Sequence, residues 1–116
     1  MNSYKNEKII KIGGQDILLR PTFENCEALE TALGFGLPVL AHNLSKQKLP
    51  GMSDMAKVIY HCQAQKLITQ EEIWKLVMAE GMMVMSDILI FVGQITAGDK
   101  FSTVEKKSQA PLESQP

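Results

Sequence analysis

The chain has 116 residues, of which 45% are hydrophobic and 22% charged, with a formal net charge of −1. That length suits one domain, and the apolar share excludes a chain too polar to build a core. The near-neutral charge, with no run dominated by Lys and Arg, offers no general attraction to nucleic acid or anionic lipid, so neither is expected as a partner.

Residues 1–6 are polar. A β-hairpin is predicted over 7–20, because isoleucine-rich runs flank Gly13-Gly14-Gln15 and paired glycines supply the left-handed turn. Ile9-Ile10 and Ile17-Leu18-Leu19 are apolar on both faces, so the outer face is expected to be partly covered as well. Pro21 ends the second strand and Thr22 caps a helix over 23–33, with Cys26, Leu29 and Leu33 on its inner face and Phe23 dropping into the core. Gly34 suits its C-terminus.

A short helix over 37–45 follows, with Pro38 in its first turn. Ser53 is read as the cap of a third helix over 54–66, whose stripe is Met55, Val58, Ile59 and Cys62. Thr69 and Glu72 form a capping box for a fourth helix over 70–79, which Gly81 is expected to stop. The fifth predicted helix, over 82–97, is apolar nearly all round. Met85, Ile88, Leu89, Val92 and Ile95 make its core face, while Met83 and Ile90 lie opposite, flanked by Val84 and Phe91. A helix of that kind is buried on several sides or meets a partner. From residue 99 the composition turns polar, and 99–116 is expected to be a disordered tail. The predicted fold is therefore α+β and mainly α: one globular domain over 1–98, a hairpin followed by about five helices in a small bundle.

Little in this pattern suggests catalysis. His61 and Cys62 are adjacent and would point about 100° apart on a helix, which is poor geometry for one metal. No C-x-x-C or H-x-x-x-H pair exists, and Gly13-Gly14 lacks the partners of a phosphate loop. No catalytic residue, metal site or cofactor is expected. Two cysteines fall short of a disulfide framework, and the segment Met1–Lys11 lacks the apolar stretch of a signal peptide, so the expected compartment is cytoplasmic, with reduced thiols acting as small apolar side chains.

Glu24, Glu27 and Glu30 read first as a solvated helix face and second as an acidic docking strip. Residues 81–98 are long enough to consider as a membrane span, but Asp87 would sit near its centre at a cost of about 2.5–3.5 kcal/mol, and no membrane association is expected. The methionines of the second half, Met82, Met83 and Met85 with Ile90 and Phe91, form a candidate partner-binding surface, since methionine adapts to varied apolar partners.

The order Gly13-Gly14, Arg20-Pro21-Thr22-Phe23, then Gly34-Phe35-Gly36-Leu37 resembles a family of phage and gene-transfer-agent tail proteins, described as tail tube proteins or tail assembly chaperones. The motif residues Gly13, Gly14, Arg20, Pro21, Thr22, Phe23, Gly34 and Gly36 are architectural. His42-Asn43 stands where the family pattern carries a basic residue. The resemblance implies tail morphogenesis in a bacterial host cell. Its first form is a chaperone that binds the tape-measure protein, and its second a structural tail component retained in the particle. A small regulatory module binding another protein is a further alternative, and self-association stays open.

Overall fold

The computed structural model describes residues 7–109, and side chains from 7 to 96. Two antiparallel strands, β1 (Lys8–Ile12) and β2 (Gln15–Leu19), precede four helices: α1 (Phe23–Leu33), α2 (Leu37–Ser45), α3 (Met52–Cys62) and α4 (Gln70–Gln109). The fold is α+β and mainly helical, with four helices rather than about five.

The hairpin forms as its glycines dictate. Gly13 and Gly14 have φ of 61° and 77°, which suits a two-residue turn whose twist matches the strands. In the register Ile10↔Ile17, side chains alternate faces. Ile10, Ile12, Ile17 and Leu19 are buried, while Ile9 is exposed on the outer face. The turn rests on α4: the Gly13 N–H donates to Glu80 Oε1 (2.9 Å), and a Cβ at Gly13 would collide with the Leu76 side chain. Lys8 pairs with Asp87 of α4 at 3.4 Å, so the one carboxylate in the middle of the apolar helix is matched by the hairpin.

Thr22 caps α1 by accepting from the Asn25 N–H (3.0 Å), and Gly34 closes it in the left-handed conformation with φ of 86°. Leu29 and Leu33 enter the core, but Phe23 does not, being 75% exposed. The inward position is taken by Asn25, two residues or about 200° further round the helix. Its amide donates to Arg20 O (2.8 Å) and Gln63 O (3.4 Å), and its Oδ1 accepts from Lys66 Nζ (2.7 Å). Carbonyls from two segments need that amide more than they need a phenyl ring. Glu30 is likewise not part of a solvated face. It is half-buried, and its Oε2 accepts from the Leu37 N–H (2.7 Å), satisfying an orphan donor at the start of α2.

Helix α3 starts at Met52 with Gly51 as its cap, so Ser53 lies inside the helix and is not the cap. It ends at Cys62 instead of continuing to 66. Gln63 leaves helical geometry (ψ 132°) and clamps the connection: its Nε2 donates to Tyr60 O (3.1 Å) and Ile68 O (3.0 Å), and its Oε1 accepts from the Ile68 N–H (3.1 Å).

The Thr69–Glu72 capping box opens α4 as expected, with the Glu72 N–H donating to Thr69 Oγ1 (3.1 Å). Gly81 does not stop the helix. It is buried, and a Cβ there would lie 3.1 Å from Val77 Cγ1 and 3.2 Å from Met55 Cε. The glycine lets α3 approach α4, and the two predicted helices are one. The helical backbone continues to Gln109, past the start of the polar stretch at 99, and 110–116 lie outside the described residues. Ile73, Val77, Val84, Ile88, Phe91 and Val92 of α4 meet the inner face of the hairpin and the apolar sides of α2 and α3, forming the core.

Candidate protein-binding surface

Helix α4 is apolar on more than one side, and its neighbours cover only part of it. The structure divides the five residues of the candidate surface. Met82 is 71% exposed and Met83 78% exposed, projecting from the helix into solvent. Met85 is 8% exposed and Phe91 fully buried, so both belong to the core and are unavailable to a partner. The cause is rotation. Met85 is two residues from Met83, about 200° round the helix, and Phe91 is one residue past Ile90, which turns it back into the core. Val84, expected to flank the outer side, is buried for the same reason.

Ile90 is half-buried, at the wall of an apolar groove between α2 and α4. Ala41 and Leu44 of α2 face Leu89, Ile90, Gly93 and Thr96 of α4 across a space of about 350 Å³. Gly93 contributes no side chain, which deepens the groove. The Thr96 hydroxyl donates to Val92 O (2.8 Å), so its polar atom is satisfied within its own helix. Two helical turns before Ile90, Met83 stands on the same side of α4, since seven residues complete nearly two turns. Met83 and the groove thus lie on one side of α4, with the polar Ser86 and Asp87 on the turn between them.

Sequence reasoning missed the groove, because the distance of Ala41 and Leu44 from Leu89 is set by tertiary packing. It also missed Trp74 and Met78. Both are exposed and, with Met82, recur at i, i+4 and i+8 on one face. That spacing was visible, and treating Gly81 as a helix end concealed it.

Among the described residues, three ionisable groups are shifted by their surroundings. Burial pushes the Cys62 thiol up to about 12, with the nearby Cys26 adding to the shift. Burial and then Glu30 raise the Cys26 thiol. Thiols held protonated are poor nucleophiles and poor metal ligands. His61 is moved down by burial, then by Lys66 and Lys57. Among the described residues, no group of three or more His, Cys, Asp or Glu side chains is placed to hold a metal ion. No protein family, curated protein or solved structure matches the chain. Residues 70–96 of α4 are long and apolar enough to cross a membrane by length and composition, yet one face of that stretch lines the protein's own core.

The motif residues hold the frame around this surface. Gly13 and Gly14 make the turn seated on α4, Thr22 and Gly34 bound α1, and Gly36 caps α2. Arg20 forms an ion pair with Glu7 across the base of the hairpin, and Pro21 separates β2 from α1. Phe23 alone departs from an architectural role inside the core.

Proposed function

We propose that this chain is a morphogenesis protein of a phage or phage-like tail, acting as an assembly chaperone that binds the tape-measure protein. One observation supports this most: α4 and α2 enclose an apolar groove at Ile90, and exposed Met83 stands on the same side of α4 two turns before it. Such a groove suits an amphipathic helix, and a tape-measure protein is long, helical and prone to associate. The exposed methionine adapts to successive segments of such a partner. The reading as a tube subunit retained in the particle is less well supported. Among the described residues the sheet has two strands, while a closed tube of β-subunits needs many.

Co-expression with a phage tape-measure protein tests the proposal. The wild type should keep the tape-measure protein soluble and copurify with it. Met83→Lys combined with Ile90→Lys should lose the complex while leaving the far-UV spectrum intact. An unchanged complex removes the Met83–Ile90 surface from the interface. Stoichiometric presence of the chain in purified particles would favour the structural component.

A further inference from the structure

A second surface, on another side of the molecule, is built from backbone groups rather than methionines. Gln15, Ile17 and Leu19 turn their backbone groups toward β1, because Ile12 and Gln15 close the two-residue turn. Asp16, Leu18 and Arg20 therefore turn theirs to the opposite edge of β2. That edge is already used at one end. The Arg20 N–H donates to Cys62 O (2.7 Å) and the Ala64 N–H to Leu18 O (2.9 Å), so Gln63 forms an isolated antiparallel bridge to Leu19. The chain then swings away, with the Leu67 N–H donating to Gln65 O (2.7 Å) and Lys66 Nζ reaching back to Asn25. Among the described residues no hydrogen bond reaches the N–H or C=O of Asp16 or the N–H of Leu18.

A trench of about 660 Å³ lies along this unpaired stretch. The β2 edge from Gln15 to Leu18 forms one wall, and Ala64, Leu67 and Ile68 form the other. A smaller hollow shares Gln15, Ile68 and Glu72 with it and extends the trench toward Lys75 of α4. We infer that this trench takes an extended peptide segment of another protein, added as a strand along β2, with a basic residue opposite Asp16.

Three observations select that occupant. The open donors and acceptor alternate along an edge that already carries an antiparallel bridge at Leu19, so a peptide backbone completes the ladder. Four consecutive residues of β2, Gln15 to Leu18, line the space, and exposed Leu67 with half-buried Leu18 offers an apolar seat for the next residue on the same face. Charge disfavours a second copy paired about Asp16 and favours a cation. A two-fold pairing about Asp16 would set Asp16 against Asp16, and like charges directly opposite are unfavourable. Asp16 and Glu72 line the trench together with Arg20, whose charge is matched by Glu7, and Asp16 already attracts Lys11 at 3.0 Å.

The test uses the full chain, isotope-labelled, with a capped peptide of alternating Thr and Val carrying one central Lys. Its control is the same peptide N-methylated at the edge-facing amides. The unmodified peptide should shift resonances of Gln15–Leu18 and Ala64–Ile68 and slow amide exchange at Asp16 and Leu18 about tenfold, as a newly made hydrogen bond would. The N-methylated peptide should do neither. Asp16→Pro deletes an outward N–H that β1 does not use and should weaken binding about tenfold. Asp16→Lys, which keeps the backbone donor, should shift preference to a peptide with a central Glu. Equal binding of the two peptides, shifts confined to Met83 and Ile90, or no shift at millimolar peptide would overturn the inference. The Met83–Ile90 surface is on α4, so such a failure leaves the chaperone reading untouched.

Discussion

Phe91 and Met83 lie eight residues apart on one helix, and replacing each should have opposite consequences. Phe91 is fully enclosed within the core cluster. Phe91→Ala removes a ring from a site whose neighbours are strands and helices fixed at both ends, so the cavity cannot collapse fully. The expected loss is about 3–5 kcal/mol. For a domain of about 100 residues that lowers Tm by about 12 °C or more. Met83 is 78% exposed, and Met83→Lys exchanges one solvated chain for another. Its expected effect on stability is within about 0.5 kcal/mol. Urea unfolding followed by far-UV circular dichroism measures both from the shift in midpoint at constant slope. The reasoning fails if Phe91→Ala costs less than about 1 kcal/mol, or if Met83→Lys costs more than about 2 kcal/mol. Either result would mean that the buried and exposed sides of α4 are wrongly assigned.

Two further outcomes follow from particular atoms. Gly81→Ala should be nearly neutral in urea unfolding, because about 1 kcal/mol of helix propensity offsets the squeeze on Val77 and Met55, whereas Gly81→Leu should cost about 1–3 kcal/mol. A clear loss for Gly81→Ala would mean that Val77 and Met55 cannot yield to the added methyl group. The Cys62 thiol titrates near 12 when folded and near 8.5 when unfolded, so its raised value contributes stability that is complete below about pH 8.5 and is lost as pH rises toward 12. The wild type should lose stability over that range more steeply than Cys62→Ala, and parallel curves would contradict the assignment.

The parts of the fold legible from the sequence are those decided within a few residues. Gly13-Gly14 requires a particular turn, Thr22 and Gly34 bound a helix by capping, and Thr69 with Glu72 announces another. The illegible parts depend on distant neighbours. Gly81 has the same local signature as a helix stop, and only the nearness of Met55 from α3 shows that it permits a close crossing. Asn25 looks like a surface residue until the carbonyls of Arg20 and Gln63 converge on it. For the candidate surface, the special status of Met83 and Ile90 could be read from helical periodicity. Including Met85 and Phe91 ignored the 100° that each added residue turns, and the groove wall from α2 had no sequence signal.

The most direct measurement of a partner on the outer side of α4 uses the methionine methyl groups. With methyl-labelled methionine, a titration with a helical fragment of the tape-measure protein should shift the Met82 and Met83 resonances, while those of buried Met55 and Met85 stay in place. Unmoved Met82 and Met83 signals at saturating fragment, or shifts confined to the buried methionines, would contradict the account.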